Sequence, residues 1–512
     1  MKKKIYFEFI YLLVLGGLSS LSLPPYNFLF INLFTFSLFF IFIFKKKKNK
    51  NLNSSFLYGW FFGLGYFLTN IYWITISLTF DINFKFLIPI ALIFIPSLLA
   101  IFYGLSTFLF FLINLKNPIS NFFLLSILIG ATEYLRGNIL SGFPWNLIAY
   151  SFSENLEIIQ ILSIIGTYAF NVLCISFFMS PAIFILRESK KEIIVCIFFL
   201  LLPIALFISG SLKIKSFQEL EVIKNNYTIR AIGSKVDLDR FYNNIDTISV
   251  IDELIELSEP DLDSKILFIW PEGIIPSSNQ LELQKFAFLF DNRFNDNHFL
   301  GIGINSLENK NGINRIYNSF SFYSHRLDLV DDYKKVKLVP FGEFLPFEKL
   351  LGSIGLKTLT NNYQSFTSGK KREIISINND DLNVKILPLI CYEIIYSGKI
   401  FKNHDFDYII NISEDGWFGN SIGPHQHFAH NIYRSIESGK YLIRSANNGI
   451  TAIINPTGFV EKMISIGKSG FIDFSEKRVS NTTLFSQHGN KMFLILIFLY
   501  IFLIFSFNRN SK

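Results

Sequence analysis

Apolar residues run almost unbroken through the first 211 positions and then give way to shorter, alternating patches. Long apolar stretches occupy residues 6–23, 27–44, 56–79, 86–113, 120–138, 157–185 and 192–211, with one more at 492–507. Each approaches the ~20 residues a helix needs to cross a hydrocarbon core of about 30 Å. Helix is the expected conformation, because a backbone in lipid has to satisfy its own N–H and C=O groups. Pro24-Pro25 marks a turn between the first two stretches. No small-residue cleavage site precedes it and further spans follow directly, so the first stretch reads as a retained span rather than a signal peptide. The pattern predicts an integral membrane α-helical bundle of about eight spans: a transmembrane bundle over 1–211, a globular domain over 212–490, and a C-terminal transmembrane helix with its tail over 491–512.

Within 212–490 the hydrophobic runs are short and end in polar clusters. Ile266–Trp270 leads into Pro271-Glu272-Gly273, Val384–Ile390 into Cys391-Tyr392-Glu393, and Tyr408–Ile412 into a loop containing Trp417. Helix-compatible segments, Thr247–Leu257 and Gln426–Gly439, lie between such runs. The alternation predicts an α/β domain with its chemistry gathered at strand ends, where a rigid core holds a side chain at its rim.

Charge refines the membrane reading. The chain has 512 residues, half of them hydrophobic, and a net charge of +7. That surplus does not point to nucleic acid, because the lysines cluster in loops between apolar blocks. With the N-terminus inside, Lys2–Lys4, Lys45–Lys48, Lys50, Lys116, Arg187, Lys190, Lys191, Arg509 and Lys512 fall on inner segments, and only Lys85 and Arg136 on short outer loops. The positive-inside bias places both termini in the cytoplasm and the globular domain outside. Glu133 and Arg136, three apart at the end of the fifth span, are spaced to pair with each other. Ser141–Trp145 reads as a loop with an aromatic anchor at headgroup level.

Three cysteines cannot build a disulfide framework, and Cys174 and Cys196 lie inside apolar blocks. Cys391 alone belongs to the globular part, either as buried filler or as a nucleophile. A thiol with a pKa near 8.5 is a poor nucleophile at neutral pH without a base or a nearby cation. All seven histidines read as loop or helix residues. His425, His427 and His430 read as the surface start of a helix, and their spacing lacks the ligands to complete a zinc site, so neither metal nor cofactor is expected. A carboxylate base with a lysine partner remains, and Glu272 with the lysines of Lys334-Lys335-Val336-Lys337 can supply it.

The strings Trp-Pro-Glu272, Lys335-x-x-Leu-Val-Pro-Phe-Gly-Glu343 and Cys391-Tyr-Glu393 resemble the three motifs of the nitrilase superfamily. Together with the eight-span frame they resemble the apolipoprotein N-acyltransferases. Gly59-Trp-Phe-Phe-Gly63, Gly142-Phe-Pro-Trp145, Asp415-x-Trp-Phe-Gly419, Gly423-Pro-x-x-His427 and Asn448-Gly-Ile-Thr-Ala452 are further similarities, so the likeness covers nearly the whole chain. It implies an α-β-β-α sandwich with Glu272, Lys335 and Cys391 as a catalytic triad. Glu343 and Glu393 would orient Lys335 and Cys391, the Tyr392 N–H would assist at the oxyanion, and Trp417 would either pack or wall the acyl site. The implied reaction is ping-pong transfer from a membrane phospholipid, through a Cys391 thioester, to the amine of a diacylglyceryl lipoprotein. The implied setting is a monomer in the bacterial inner membrane, with its catalytic domain in the periplasm and no nucleic-acid partner. The chain departs from the family at Lys337, where a histidine is usual, at Glu414, where an asparagine is common, and at Gly233-Ser-Lys235 after the first strand. Lys334 and Lys337 are expected to be solvated neighbours of Lys335. Phe344–Leu356, apolar with glycines at 352 and 355, is expected to form a lid near the lysine. Two rival readings are a membrane-anchored amidase that passes its thioester to water, and a non-catalytic transport or lipoprotein-binding protein.

Overall fold

The computed structural model describes residues 2–48, 52–241, 245–275, 278–310, 312–349, 365–379, 382–400 and 405–509. They form two compact units, one of Met1–Ser216, Asn420–Tyr433 and Thr483–Lys512, the other of Phe217–Gly419 and Arg434–Thr482.

In the first unit every predicted apolar stretch lies on a helix: Lys2–Ser19, Ile31–Lys48, Ser55–Asn70, Ile88–Leu112, Pro118–Arg136, Leu162–Ile185, Lys190–Gln218 and Lys491–Arg509. Among the described residues six helices are long and apolar enough to span a membrane, and a seventh span arises if Leu52–Asn70 and Tyr72–Thr79, bent by 47°, are taken together. Ile31–Lys48 is the remaining helix, and its apolar run closes on Lys45–Lys48. The stretch expected over 157–185 is interrupted at Gly166, whose φ of 71° is not helical. Gly59 and Gly63 face the Ile88–Leu112 helix, where a Cβ at Gly59 would stand 2.2 Å from the Tyr103 carbonyl oxygen. Small residues of this kind let two apolar helices approach closely where lipid supplies no hydrophobic drive. Glu133 and Arg136 pair as expected, with Arg136 Nε donating to Glu133 Oε2 at 2.9 Å, and both are buried.

The sequence predicts one globular block over 212–490, whereas Asn420–Tyr433 and residues from Thr483 onward group with the apolar helices. Polar pairing accounts for the first of these. Gln426 Oε1 accepts from the indoles of Trp145 (2.9 Å) and Trp73 (3.3 Å), and its Nε2 donates to Asn70 (3.0 Å). Two expectations therefore change. Trp145 is not an exposed interfacial anchor but only 2% exposed, stacked 5.3 Å from the His427 ring. His427 and His430 are buried rather than on the surface, with His430 also against Tyr150 at 4.3 Å.

Among the described residues the second unit holds twelve strands: β1 Ile223–Gly233, β2 Ile266–Ile269, β3 His298–Lys310, β4 Ile313–Ser324, β5 Leu329–Lys334, β6 Ile375–Asn379, β7 Leu382–Ile390, β8 Tyr408–Glu414, β9 Tyr441–Asn447, β10 Thr451–Ile454, β11 Val460–Ile464 and β12 Gly470–Lys477. They make two six-stranded sheets in the orders β12-β1-β2-β3-β4-β5 and β11-β10-β9-β8-β7-β6. In each, three central strands are parallel (β1, β2, β3 and β7, β8, β9) and the outer ones antiparallel. Central strands buried on both faces read as continuous apolar runs, as Ile266–Ile269 does and, but for the buried Asn411, Tyr408–Ile412. The Thr247–Ser258 helix, capped by Asp246, lays Val250, Ile251, Leu254 and Ile255 onto the core formed by Phe268, Trp270, Leu300 and Ile302. The two sheets are joined by Ser445 on β9, whose hydroxyl lies 2.7 Å and 3.0 Å from the carbonyl oxygens of Ile232 and Ile269 on the other sheet. His298, expected in a loop or helix, instead opens β3, buried between Asn295 and the Asp261 carbonyl.

Candidate active site

Four strand ends converge on one buried polar cluster. β2 stops at Ile269, and Trp270-Pro271 carries the chain to Glu272. That loop lies directly over Gly303 of β3, where a Cβ would stand 2.3 Å from the Pro271 oxygen, so only glycine admits it. β5 ends at Lys334, and the next backbone N–H, that of Lys335, donates to Asn318 O of β4 at 2.9 Å. The Lys335 side chain is thereby aimed inward, and its Nζ donates to Glu272 Oε1 (3.0 Å) and Glu343 Oε1 (2.9 Å). Asn318 Nδ2 bridges the same two oxygens at 2.7 and 2.8 Å. The second oxygens are also held, Glu272 Oε2 by the Glu414 N–H (3.0 Å) and Glu343 Oε2 by the Val339 N–H (2.7 Å).

Cys391 follows β7 and opens the short turn Cys391–Ile395 with φ +46°, a left-handed conformation that costs a non-glycine residue of order 1 kcal/mol or more. Glu393 maintains it. Its carboxylate is buried and accepts from the Ile390 N–H (3.0 Å), the Tyr333 hydroxyl (2.8 Å), the Val336 and Lys337 N–H groups (3.0 and 3.1 Å) and Arg372 (3.0 Å). One side chain thus ties the cysteine turn to the lysine loop. Across the cluster, Asp415 is held by two hydrogen bonds from Arg444 at 2.9 and 3.0 Å and one from Ser413 at 2.8 Å.

Burial pushes the Cys391 thiol well above its ordinary value, and the Glu272 charge pushes it further; Lys335 and a Ser413 hydrogen bond act the other way. Burial opposes charge on Lys335, but the carboxylates of Glu272 and Glu343 outweigh it and hold the ammonium well above the usual lysine value. The resting thiol is therefore neutral, in the electrostatic field of Glu272 and Lys335.

Glu272, Lys335, Glu343, Cys391 and Glu393 are brought into one network. Tyr392 turns its ring edge-on to Tyr396 at 5.5 Å, and Trp417 stacks on Phe241 at 5.3 Å. Lys334 is not a free solvated neighbour, since it pairs with Glu308 at 2.5 Å and Asp332 at 3.7 Å. Of the expected lid only Phe344–Lys349 is described, with Leu345 buried and Phe347 exposed. Its residues 350–356, including Gly352 and Gly355, lie outside the described residues. Asn318, Tyr333, Arg240, Arg372 and Arg444 are participants that sequence reasoning missed. Among the described residues no group of three or more His, Cys, Asp or Glu could hold a metal ion.

Residues 15–180 match the family described as apolipoprotein N-acyltransferase N-terminal domain, and residues 266–473 the carbon-nitrogen hydrolases. A protein of Rhodopseudomonas palustris named apolipoprotein N-acyltransferase is 30% identical over 510 residues, covering 96% of this chain and 94% of its own. The chain belongs to the apolipoprotein N-acyltransferases. A relative of the same name from Rickettsia prowazekii is 33% identical over 455 residues, with 86% of this chain and 88% of the relative covered. Among solved structures, a branch 10 member of the nitrilase superfamily from Saccharomyces cerevisiae is similar at 15% identity and a TM-score of 0.35, covering 49% of this chain and 90% of its own. Within this acyltransferase the departure at Glu414 has a structural partner. Its carboxylate is buried against the Arg240 guanidinium and accepts from Asn447 at 2.6 Å and the Gly416 N–H at 2.8 Å.

Proposed function

We propose that this membrane acyltransferase moves a fatty acyl chain from a phospholipid to the N-terminal amine of a diacylglyceryl lipoprotein, through a thioester on Cys391. The observation that carries the reading is the buried contact of Lys335 with Glu272 at 3.0 Å, in the electrostatic neighbourhood of the Cys391 thiol. Glu272 takes the thiol proton as sulfur attacks the ester carbonyl, and Lys335 with the Tyr392 N–H stabilises the oxyanion. Collapse breaks the acyl C–O bond, the glyceryl oxygen takes the proton from Glu272, and a lysophospholipid leaves. In the second half the acceptor amine attacks the thioester, Glu272 accepts an N–H proton, and that proton returns to the departing sulfur as the amide forms. Glu343 and Glu393 serve as positioning residues for Lys335 and for the Cys391 turn, and Trp417 is a candidate wall of the acyl site. The positive-inside pattern supports an inner-membrane enzyme with both termini cytoplasmic and the catalytic unit in the periplasm, and the proposal takes it to act as a monomer.

Intact-mass analysis of the purified chain after incubation with phospholipid tests this reading. One acyl mass should appear at Cys391, vanish in Cys391→Ala and nearly vanish in Cys391→Ser. An adduct that persists in Cys391→Ala rules the mechanism out. The competing hydrolase reading requires the adduct to clear rapidly in water without an amine, whereas an acyltransferase holds it until the acceptor arrives.

A further inference from the structure

The cations around the catalytic carboxylates are matched with acids: Lys334 with Glu308, Lys335 with Glu272 and Glu343, Arg372 with Glu393, Arg240 with Glu414 and Arg444 with Asp415. Two are not. Lys337 and Lys399 form no ion pair among the described residues, yet their ammonium groups lie 5.9 and 5.8 Å from the centroid of the same ring, that of buried Tyr396. Both backbones are fixed by one buried ion pair. Glu393 accepts the Lys337 N–H at 3.1 Å, and its partner Arg372 donates to the Lys399 carbonyl at 3.3 Å. Burial, and then the Lys337 charge, depress the Lys399 pKa, so the two cations act on each other unfavourably. A rigid frame that sets two unmatched ammoniums around one aromatic ring is what an anion site requires, since each supplies a compact charge and three donors. The Tyr396 ring meets Tyr392, the neighbour of the nucleophile, at 5.5 Å.

We infer that Lys337 and Lys399 form a phosphate-binding subsite that engages the phosphodiester of the acyl-donor phospholipid and positions its ester beside Cys391. This rests on the proposed function, in which the donor carries a phosphate and the thioether-linked acceptor does not. The substitution at 337 of the histidine usual in the family would then add a fixed charge to donor binding.

The full-length chain in mixed micelles tests it with two acyl donors, a diacyl phospholipid and a phosphate-free p-nitrophenyl acyl ester, each followed as the first-turnover adduct on Cys391. In the double variant Lys337→Gln, Lys399→Gln the half-saturating phospholipid concentration should rise roughly ten- to a hundredfold, while the rate with the nitrophenyl ester stays within about twofold. Lys337 enters the catalytic scaffold through its backbone N–H alone, which the change preserves. The charge-keeping double variant Lys337→Arg, Lys399→Arg should stay close to wild type. Equal losses with both donors, or no loss with phospholipid, overturn the subsite. So does a variant that loses only competitive inhibition by inorganic phosphate, because the site then takes free phosphate and not the headgroup. Should the glutamine pair fail to fold, wild type decides: raising salt from about 0.05 to about 0.5 M should weaken phospholipid saturation and leave the nitrophenyl ester unaffected, and a flat response overturns the inference. Failure of the subsite leaves the wild-type phospholipid adduct intact. Absence of that adduct would instead remove the proposed function.

Discussion

Strand for strand, β12-β1-β2-β3-β4-β5 and β6-β7-β8-β9-β10-β11 repeat one pattern, an antiparallel edge, three parallel strands and two antiparallel ones. Their chemistry differs. The first sheet delivers Glu272 past β2, Asn318 on β4 and Lys335 past β5, a carboxylate and an ammonium in direct contact. The second delivers Cys391 past β7 and acids that are already occupied, Glu393 by Arg372 and Asp415 by Arg444. The groups that move protons thus come from one sheet and the nucleophile from the other. Cross-sheet links hold them in register, among them the Arg240–Glu414 ion pair, the Ser445 hydroxyl and the Tyr333–Glu393 hydrogen bond.

Disabling the charged sheet should produce the largest effect. Lys335→Ala or Glu272→Gln is expected to slow thioester formation by two to four orders of magnitude, about 3–5 kcal/mol of transition-state stabilisation. Glu272→Gln carries a second, opposite signature. Removing the carboxylate that raises the Cys391 thiol while keeping Lys335 should lower the thiol pKa, so that alkylation by iodoacetamide at neutral pH speeds up as acyl transfer collapses. A parallel loss of both would separate neither sheet's role and would contradict the comparison.

Cutting the ionic link comes next. Arg240→Ala leaves Glu414 as an orphaned buried carboxylate, which typically costs about 3–5 kcal/mol of stability. Burial already raises the Glu414 pKa, with Arg240 opposing the rise. Without Arg240 the carboxyl protonates at still higher pH, so the loss in thermal stability should be larger at pH 8 than at pH 5. A loss that grows as pH falls would have the wrong sign. The smallest change is Ser445→Ala, which removes the donor shared by two buried carbonyls at about 1–3 kcal/mol and should lower the melting midpoint by a few degrees while leaving the Cys391 adduct detectable.

The sequence made the strand-end chemistry legible because a short apolar run followed by a polar cluster has one economical fold, a buried strand with its functional group at the rim. Glu272 and Cys391 stand at such places, whereas Lys335 follows the largely polar strand Leu329–Lys334 and was legible only through its spacing to Leu338–Glu343, which resembles the nitrilase motif. Asn318 has neither signal. It sits mid-strand between Tyr317 and Ser319, where a polar residue reads as the solvent face of an edge strand, and its value comes from two carboxylates 46 and 25 positions away. Arg240 and Arg372 were equally silent, each a basic residue in a polar stretch whose acid partner lies 174 or 21 residues downstream. The histidines of the Gly423–Ser438 helix misled for a related reason: a polar helix start looks solvated until its partners, here Trp145 and Tyr150, are known. Most helical spans carried no such ambiguity, since length and hydropathy specify them, but neither reveals the break at Gly166 or the bend between Leu52–Asn70 and Tyr72–Thr79.

The Lys335 cluster joins two carboxylates to one ammonium, so the group as a whole carries a surplus of one negative charge beside the thiol. A thiol and a thioester are both neutral, so on the proposed cycle that surplus is the same before and after the first half-reaction. An amine acceptor in water is mostly an ammonium ion, which that negative charge would attract; its extra proton passes to solvent, and Glu272 then takes only the proton released as the neutral amine attacks. Water, uncharged, gains nothing from the same field. The buried imbalance would therefore favour aminolysis over hydrolysis by selecting the charge of the incoming nucleophile, without any contact that recognises its shape.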